Sequence, residues 1–307
     1  MRVIEVAQFG DPSVLVPVTA PDPAPAPGQV RIAVAAADTL WLETMVRAGH
    51  GGPYFPVTLP YRPGVGVAGT VTTVGTGVAP QWIGRRVVAR TGHAGGGYAT
   101  AALAAEDALV PVPDEVADRT AAAVIHDGVT ALALLDIAPV AAGDRVLITA
   151  AAGGMGAILV QLALAAGATV VAAARGEAKL ARLRDLGATT VVDYSQPDWT
   201  AALDPVDTVL DGAGGDYGRA ALGLVKPGGR FSGHGMPAGG FTAATRTDVT
   251  VTGIQAVRLR PEQHRAYLSR ALSLSPLIGQ VYPLEEAAAA HRGLEERTAI
   301  GKTLLVP

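Results

Sequence analysis

A short glycine-rich segment has the spacing that most clearly predicts chemistry in this sequence. Ala151, Gly153 and Gly156 occupy the three small-residue positions of a G-x-G-x-x-G pattern, with alanine at the first. The apolar run Val146–Ala150 precedes the pattern, and the Ala/Leu-rich segment Ala157–Ala166 follows it. Small residues let the backbone approach a pyrophosphate, and the N–H groups of a helix N-terminus bind it. This strand–turn–helix order therefore predicts a dinucleotide site.

The end of the next apolar run indicates which dinucleotide fits. The run Ala168–Ala174 leads into Arg175, and Lys179 lies one helical turn further on. NAD sites place an acid at this strand end for the ribose 2′-hydroxyl, whereas NADP sites place cations there for the 2′-phosphate. No acid stands at the strand end here, so two cations can meet a phosphate. The alternative is that both are solvated surface charges, but the missing acid favours NADPH.

Composition and charge exclude several classes of function. The formal net charge of −3, with 49% hydrophobic and 17% charged residues, indicates a packed globular protein that does not attract nucleic acid or anionic membranes. The N-terminus lacks a signal-peptide core, and Gln161 and Gly167 interrupt the most apolar region, so we expect a cytoplasmic protein without a membrane span.

Metal chemistry is not expected from the available ligands. The chain has no cysteine, which excludes disulfides, a thiolate nucleophile and Cys-ligated zinc. The histidines show no ligand-like spacing; they are His50, His93, His126, His234, His264 and His291. We therefore expect no metal in the site.

The middle of the chain alternates predicted strands with predicted helices. The strands are Arg145–Ala150, Thr169–Ala174, Thr189–Asp193, Val206–Asp211, Arg230–Gly233 and Val249–Ile254. The helices are Gly154–Ala166, Glu177–Leu186 and Asp216–Val225, the last closed by a turn at residues 226–229. This order predicts a doubly wound parallel sheet with a crevice at the carboxyl ends of the first and fourth strands.

The two ends of the chain differ from this middle part. The first 115 or so residues are rich in Pro and Gly, with strand-like runs at Val30–Ala35 and Val65–Val74 and almost no helical periodicity, which predicts a small β-barrel-like domain. The tail contains a predicted helix, Leu284–Gly293, and a strand, Gly301–Val306, which we expect to return to the first domain. The expected domain boundaries are 1–117, 118–260 and 261–307.

Short segments along the whole chain carry a resemblance to a known family. They are Glu43–Gly49, Leu59–Gly64, Val67–Val71 with Val74-Gly75, Gly96–Ala99, Gly128–Ala131, Ala151–Gly156, Lys179-Leu180, Leu186–Ala188, Asp193-Tyr194 and Gly301-Lys302. In this order they resemble the medium-chain dehydrogenase/reductase superfamily, and within it the zinc-independent quinone oxidoreductases of the zeta-crystallin-like branch. The resemblance implies an α/β fold: a Rossmann doubly wound parallel sheet plus an N-terminal GroES-like β-barrel domain that the C-terminal segment completes.

The resemblance also implies an activity and a set of coenzyme contacts. It implies NADPH as cofactor and hydride transfer to a quinone or an activated enone. The implied coenzyme residues are Thr130, Ala152, Gly153, Gly154, Met155, Gly156, Arg175, Lys179, Tyr194, Gly212, Ser232, Gly233, Gly235 and Lys302. Arg175, Lys179 and Tyr194 would surround the 2′-phosphate, although Tyr194 could instead be a packed edge residue. Thr130 would face the coenzyme, and it could also serve as a helix N-cap.

The sequence departs from the family where the acceptor should approach. Leu40-Trp41 replaces an Asn-Pro pair, Gly51 and Gly52 extend a loop, and Asp127 replaces a small or apolar residue. These changes leave the identity of the acceptor open.

An electrophilic acceptor needs orientation and a donor to its oxygen rather than zinc. The catalytic candidates are Tyr54, Asp127 and His234, and the substrate-contact candidates are Trp41, Tyr54, Tyr61 and His126. Tyr54 could instead be a half-buried loop aromatic, Tyr61 structural and Asp127 a capping acid. If Tyr54 is the donor, Tyr54→Phe should slow the chemical step and leave the Kd for NADPH unchanged.

Two other functions and one assembly are consistent with the sequence. A pathway-specific enoyl reductase acting on a polyketide-like intermediate uses the same chemistry, and a non-catalytic NADPH-binding redox sensor uses the same coenzyme site. The predicted sixth strand, Val249–Ile254, leaves a sheet edge at which two copies could form a homodimer. The expected partner is a small molecule.

Overall fold

A computed structural model describes residues 1–92, 95–243 and 246–307; His93, one of the histidines considered above, lies outside this part of the chain. The described residues up to 129 form seven strands and two complete helices. The strands are β1 (Arg2–Glu5), β2 (Val16–Thr19), β3 (Gln29–Asp38), β4 (Gly66–Val74), β5 (Arg86–Arg90), β6 (Ala101–Ala105) and β7 (Val110–Pro111). The helices are α1 (Trp41–Arg47) and α2 (Asp118–Val124).

The remaining elements follow in chain order. The helices are α3 (Asp127–Ile137), α4 (Gly154–Ala165), α5 (Glu177–Asp185), α6 (Gly215–Gly223), α7 (Pro261–Ala271) and α8 (Ala287–Glu295). The strands are β8 (Arg145–Thr149), β9 (Thr169–Ala174), β10 (Thr190–Asp193), β11 (Val206–Asp211), β12 (Val225–Gly233), β13 (Thr250–Gly253), β14 (Ile278–Pro283) and β15 (Lys302–Val306).

The chain forms two compact units. The first contains Met1–Val129 together with Arg260–Pro307, and the second contains Thr130–Leu259. The expected first boundary was at residue 117, but α2 packs on β3 and β4, so it belongs with the first unit. The division instead falls inside α3, between Val129 and Thr130.

The second unit contains a six-stranded parallel sheet. Its strand order is β10-β9-β8-β11-β12-β13, the doubly wound arrangement in which β8 and β11, the first and fourth strands of the unit, are neighbours. The inner strands β8, β9 and β11 are largely apolar and buried because helices cover a parallel sheet of this kind on both faces. The structure confirms the predicted fold class and five of the six strands to within one residue at each end.

The start of β12 corrects one prediction. Residues 226–229, Lys-Pro-Gly-Gly, were expected to form a turn that closes a helix, but the strand already begins at Val225. Val225 pairs with Val206 and Arg230 pairs with Thr208, so the four residues between them bulge opposite Asp207. The Pro and Gly residues therefore mark an irregularity inside a strand rather than a turn.

The first unit contains a two-stranded sheet, β1-β2, and a seven-stranded sheet. The larger sheet has the order β14-β15-β3-β4-β5-β7, with β6 also paired to β3. Within the described ranges the strands pair in this open order, and no closed barrel is formed. The C-terminal strand β15 pairs antiparallel with β3, which joins the two ends of the chain in one sheet.

Several elements of the first unit were not predicted individually, among them the helix α1, the helix α7 and the strand β14. α1 is only 7 residues long, and β14 is half-exposed and pairs only with β15, so neither leaves a strong periodic pattern. The predicted tail helix is a short 3₁₀ turn, Leu284–Glu286, followed by α8.

Within the described residues, no single helix is both long and apolar enough to cross a membrane. The bent pair Asp118–Val124 and Asp127–Ile137 meets the length and composition test together, with a bend of 42° at the break.

Candidate functional site

The glycine-rich turn after β8 brings the backbone of α4 close to the strand end. Gly153 is the N-cap of α4, and Ala150 adopts a left-handed φ of 50°, which a residue with a side chain rarely takes. A Cβ atom on Gly156 would overlap the carbonyl oxygen of Ala150 and lie 2.8 Å from Ala151 Cα. The third position therefore requires glycine for close helix–strand packing, as the dinucleotide pattern demands.

The loops after β11 and β12 meet through glycine backbone. A Cβ on Gly235 would overlap the carbonyl of Gly212, and a Cβ on Gly214 would overlap that of Gly240. Both loops follow carboxyl ends of strands in the same parallel sheet. Predicted coenzyme residues Gly212 and Gly235 are thus brought together by the fold, at the edge where such sheets bind ligands.

A buried carboxylate, Asp211 at the end of β11, fixes these loops. Its Oδ1 accepts hydrogen bonds from Thr149 Oγ1 at 2.6 Å and from the N–H groups of Ala213 and Gly214 at 3.1 Å. Its Oδ2 accepts a hydrogen bond from Thr242 Oγ1 at 2.7 Å. Asp211 was not predicted as a site residue, and its role is to hold together the ends of β8 and β11.

His234 and Ser232 lie at the end of β12 as predicted, but both are buried. Burial lowers the pKa of His234 from 6.5 to about 4, although the charge of Asp211 opposes this shift. The imidazole is therefore neutral near pH 7, which suits hydrogen bonding better than proton donation. His234 Nδ1 and Ser232 Oγ are buried and have no hydrogen-bond partner among residues that the structure describes.

The end of β9 presents a cation beside three aromatic rings. Arg175 is exposed, and its Nη2 donates a hydrogen bond to the hydroxyl of Tyr217 at 3.3 Å. The ring of Tyr217 stacks on Tyr194 with centroids 4.5 Å apart, and Tyr194 meets Trp199 edge-on at 6.3 Å. Lys179 lies on the first turn of α5 and is half-buried. This geometry places Arg175 and Tyr194 on the same side of the sheet end.

An acid near this strand end is already engaged by the backbone. Asp193, at the end of β10, accepts a hydrogen bond from Gly176 N–H at 3.1 Å through Oδ2. Its Oδ1 accepts from Ser195 N–H at 2.9 Å and from Ser195 Oγ at 2.6 Å. Asp193 thus shapes the turn before α5, in which Gly176 has a left-handed φ of 80°.

A charged cluster lies inside the first unit. His126 Nδ1 donates a hydrogen bond to Asp38 Oδ2 at 2.8 Å. Lys302 Nζ lies 3.3 Å from the same oxygen and 3.2 Å from Asp127 Oδ2. Burial alone would raise the pKa of Asp38, but His126 and Lys302 lower it below its ordinary value. Burial alone would lower the pKa of Lys302, but Asp127 and Asp38 raise it, so the charges stabilise one another.

This cluster contains two residues, Asp127 and Lys302, for which the sequence predicted other roles. Asp127 is the first residue of α3, where a capping acid was one possibility, and its carboxylate pairs with Lys302. Lys302 was implied to contact the coenzyme, but the side chain is 3% exposed and held by two carboxylates of the first unit. Asp38, which connects His126 to Lys302, was not predicted.

A second buried network centres on Glu43 in α1. Tyr98 Oη donates to Glu43 Oε2 at 2.7 Å and lies 3.0 Å from His291 Nε2. The N–H groups of Leu40 and Gly64 donate to the two carboxylate oxygens. Burial, and then repulsion from Asp38, raises the pKa of Glu43 from 4.5 to about 7. Burial also lowers the pKa of His291 to about 3, so its ring is neutral.

The remaining acceptor-side candidates are spread over the first unit. Tyr54 lies in a short 3₁₀ turn, Gly52–Tyr54, and is 84% exposed. Trp41 is the first residue of α1 and is half-buried. The hydroxyl of Tyr61 is buried and finds no partner within the described ranges, and burial followed by the charge of Glu43 raises its pKa. The structure therefore does not bring Tyr54 into the cluster around Asp38.

Thr130 belongs to the second unit and is the fourth residue of α3. It cannot be the N-cap of α3, because the helix already begins at Asp127. Its predicted role toward the coenzyme stays a prediction.

The missed residues share a feature that sequence spacing does not show. Asp38, Asp211 and Tyr217 act through partners from distant parts of the chain. The sequence contained a partial indication of Asp38 and Asp211, because each is an acid at the end of an apolar run that forms a strand. Neighbouring strands in a sheet bring such terminal side chains together. Across residues 1–92, 95–243 and 246–307, no group of three or more His, Asp or Glu side chains is arranged to hold a metal ion.

Comparisons with known proteins agree with this architecture. Residues 26–114 match the family described as the alcohol dehydrogenase GroES-like domain, and residues 186–305 match the family described as zinc-binding dehydrogenase. Quinone oxidoreductase from Sus scrofa is 32% identical, with 100% of this chain and 98% of the relative covered. The 2-haloacrylate reductase from Burkholderia sp is also 32% identical, with 91% of each chain covered.

A solved structure shows the same fold over its whole length. The Escherichia coli quinone oxidoreductase complexed with NADPH is 26% identical, covers 100% of both chains and superposes with a TM-score of 0.87. The glycine-rich turn, the doubly wound sheet, the GroES-like domain and these relatives lead to one conclusion. The chain belongs to the medium-chain dehydrogenase/reductase superfamily, in its quinone oxidoreductase branch.

Proposed function

We propose that this chain is an NADPH-dependent, metal-free reductase of quinones or activated enones. The observation that carries the proposal is the end of β9, where no acid faces outward and Arg175 is held by the hydroxyl of Tyr217. A cation fixed at this position favours a 2′-phosphate over a free ribose hydroxyl. The relatives support an oxidoreductase, since their names include quinone oxidoreductase and 2-haloacrylate reductase.

The residues present fit this coenzyme. The backbone cradle around Gly156 leaves no room for a Cβ, and the N-terminus of α4 offers N–H groups without intrahelical partners to a pyrophosphate. Tyr194 and Lys179 would complete the phosphate site with Arg175. When bound, NADPH supplies hydride from nicotinamide C4 to the electrophilic carbon of the acceptor.

The other end of the coenzyme would lie beside His234. The neutral imidazole would orient the nicotinamide by hydrogen bonding, because its pKa of about 4 makes it a poor acid at neutral pH. Trp41 and Tyr61 would contact a planar acceptor. The family accepts electrophilic substrates, so the first unit needs only to position the acceptor and to donate a hydrogen bond or a proton to its oxygen.

The coenzyme part of the proposal is tested by titration with NADPH and NADH. Arg175→Ala should raise the Kd for NADPH and leave that for NADH unchanged. Arg182→Ala is the matched control, since Arg182 lies on α5 but pairs with Asp185. Equal kcat/KM for the two coenzymes, together with an unchanged NADPH value in Arg175→Ala, would disprove the proposed specificity.

The acceptor part is tested with 9,10-phenanthrenequinone and 2-cyclohexen-1-one in parallel assays. Turnover of either supports a reductase, and a strong preference for the enone favours an enoyl reductase. Tight NADPH binding without turnover of any acceptor would instead indicate a redox sensor.

We also propose that the protein is a cytoplasmic homodimer. The strand β13 is the edge of the six-stranded sheet, and Val251 on this strand is 41% exposed. A second copy could pair with this edge across a two-fold axis. Sedimentation of the purified protein at micromolar concentration should show twice the monomer mass, and a monomer would contradict the proposal.

A further inference from the structure

We propose that His126 donates the proton that the oxygen of the reduced acceptor requires, and that Asp38 is the positioning residue for its ring. This inference rests on the proposed reductase function and adds a donor to it. Asp38 and Asp127 both belong to the first unit. The proposal rests on the geometry and the burial of the cluster that these residues form with Lys302.

The geometry fixes the tautomer of His126. Because the carboxylate of Asp38 can only accept, the Nδ1 atom of His126 must donate the 2.8 Å hydrogen bond. Nε2 is then the nitrogen left for a substrate, and it makes no hydrogen bond to any residue the structure describes. A carboxylate paired with an imidazole in this way holds the ring in one orientation.

The charged groups beside this ring come from three side chains. Asp38 and Asp127 carry two negative charges, and Lys302 carries one positive charge. The hydrogen bond to Asp38 ties the ring of His126 to this group of ion pairs. Further titratable groups that influence His126 or Asp38 are Glu43 on α1 and His264 on α7.

The burial of the pair suits a controlled proton transfer. Asp38 is fully buried, and only 19% of the His126 side chain is exposed, so bulk water has limited access to the hydrogen bond between them. The Oδ1 atom of Asp38 is buried without a hydrogen-bond partner among the described residues. Among the histidines that the structure describes, His126 is the one whose ring nitrogen lies within hydrogen-bond distance of a carboxylate.

The competing donors are less suitable. Tyr54 is 84% exposed, and burial keeps His234 neutral. Burial and Glu43 raise the pKa of the Tyr61 and Tyr98 phenols, so both hold their protons more tightly.

In an enone, hydride adds to the β-carbon and displaces the π pair of the C=C bond. That pair forms the new double bond between the α-carbon and the carbonyl carbon, and the π pair of the C=O bond moves to oxygen to give an enolate. The Nε2–H bond of His126 breaks as the O–H bond of the enol forms, and the enol then tautomerises to the ketone. The neutral imidazole recovers a proton from solvent, so each turnover consumes one hydride and one proton.

The test compares acceptors that differ in their need for this proton. The enolate from 2-cyclohexen-1-one is strongly basic, whereas the hydroquinone anion from tetrachloro-1,4-benzoquinone is stabilised by chlorine. His126→Gln should lower kcat for cyclohexenone by about 10²-fold or more and leave the chlorinated quinone largely unaffected. Asp38→Asn, which removes the charge but keeps an amide in place, should shift kcat in the same direction.

Controls separate a proton donor from a structural role. The Kd for NADPH should stay at its wild-type value in His126→Gln, and thermal unfolding should remain cooperative. Asp114→Asn is the surface control, because Asp114 is exposed in the same unit. Equal losses with both acceptors, unchanged cyclohexenone turnover in His126→Gln, or the selective loss in Tyr54→Phe instead would each overturn the inference.

A separate measurement distinguishes this inference from the proposed function. If wild-type protein reduces no acceptor, the proposed function fails, and the His126–Asp38 pair is then judged by NMR of protein labelled with ¹⁵N-histidine. A protonated Nδ1 in the wild type, with its signal altered by Asp38→Asn, would support the pair. An unprotonated Nδ1, or a signal that Asp38→Asn leaves unchanged, would overturn it.

Discussion

The coenzyme region of the second unit and the charged cluster of the first unit are built from different kinds of chemical group. The coenzyme region consists largely of backbone and glycine, and carboxylates such as Asp211 accept hydrogen bonds from its hydroxyl and N–H donors. The charged cluster consists of long side chains whose charges compensate each other, as Lys302 does for Asp38. A site built from closely packed backbone is disrupted when a side-chain atom is added to it. A charged cluster is destabilised when one of its charged partners is removed.

This difference fits the tasks proposed for the two units. Backbone N–H groups bind a phosphate without any change in protonation, which suits a coenzyme that must bind in one orientation. Ionisable side chains in a buried setting can hold and release a proton, which suits the reduction of an acceptor. The following variants test the comparison, beginning with the largest expected effect.

Removing the ammonium group from the charged cluster should have the largest effect. Lys302→Met leaves the buried Asp38 and the half-buried Asp127 without their shared cation, and an uncompensated buried charge costs about 3–5 kcal/mol. The free energy of unfolding, measured with urea at about pH 7, should fall by this amount. Adding Asp38→Asn to Lys302→Met should recover part of the loss, and strictly additive effects would show that the two side chains do not interact.

The second prediction concerns the pH dependence caused by Glu43. Its pKa rises from 4.5 to about 7 on folding, so between these values the folded protein binds more protons than the unfolded chain. Stability from this group is therefore lost as pH rises through this window, by about 3 kcal/mol in total. Glu43→Gln cannot ionise, so its stability should lack this decline between about pH 5 and about pH 8. Parallel pH profiles for the two proteins would contradict the shift.

The third prediction adds one methyl group to the coenzyme region. In Gly156→Ala the new Cβ would overlap the carbonyl oxygen of Ala150, and overpacking of this kind costs about 1–3 kcal/mol. Unfolding free energy should fall by this amount, and NADPH should bind more weakly. Gly223→Ala in α6 is the matched control, because a Cβ there meets nothing within 4 Å. A loss of equal size in both variants would indicate that local packing at Gly156 is not tight.

The sequence predicted the parts of the molecule that depend on neighbouring residues. The bounds of β9 and β11 and the requirement for glycine at position 156 follow from local apolar runs and a short spacing, and the structure agrees with them. The start of β12 was wrong because Pro227 and its glycines indicate a turn, although tertiary pairing with β11 keeps the strand together. Local patterns carry no information about such pairing.

The charged cluster could not be predicted for the same reason. Asp38 ends β3, His126 precedes α3 and Lys302 begins β15, so the fold alone brings them together. His126 and Asp127 were selected because they precede or begin a predicted helix near the family's variable positions. Their partners Asp38 and Lys302 come from strands near opposite ends of the chain, and no sequence spacing connects them.

The smallest predicted effect is at Tyr217, where one hydroxyl group connects the aromatic rings to Arg175. Tyr217→Phe keeps the stacking on Tyr194 but removes the oxygen that lies 3.3 Å from Arg175 Nη2. A hydrogen bond of this kind contributes about 0.5–1.5 kcal/mol, so the Kd for NADPH should rise roughly 2- to 10-fold. The Kd for NADH should stay unchanged because this coenzyme lacks the 2′-phosphate, and Tyr217→Phe should have no further effect in an Arg175→Ala background. Equal weakening of both coenzymes, measured by fluorescence titration, would instead assign Tyr217 to the packing of the aromatic rings, and the phosphate specificity would then depend on Arg175 without its tyrosine partner.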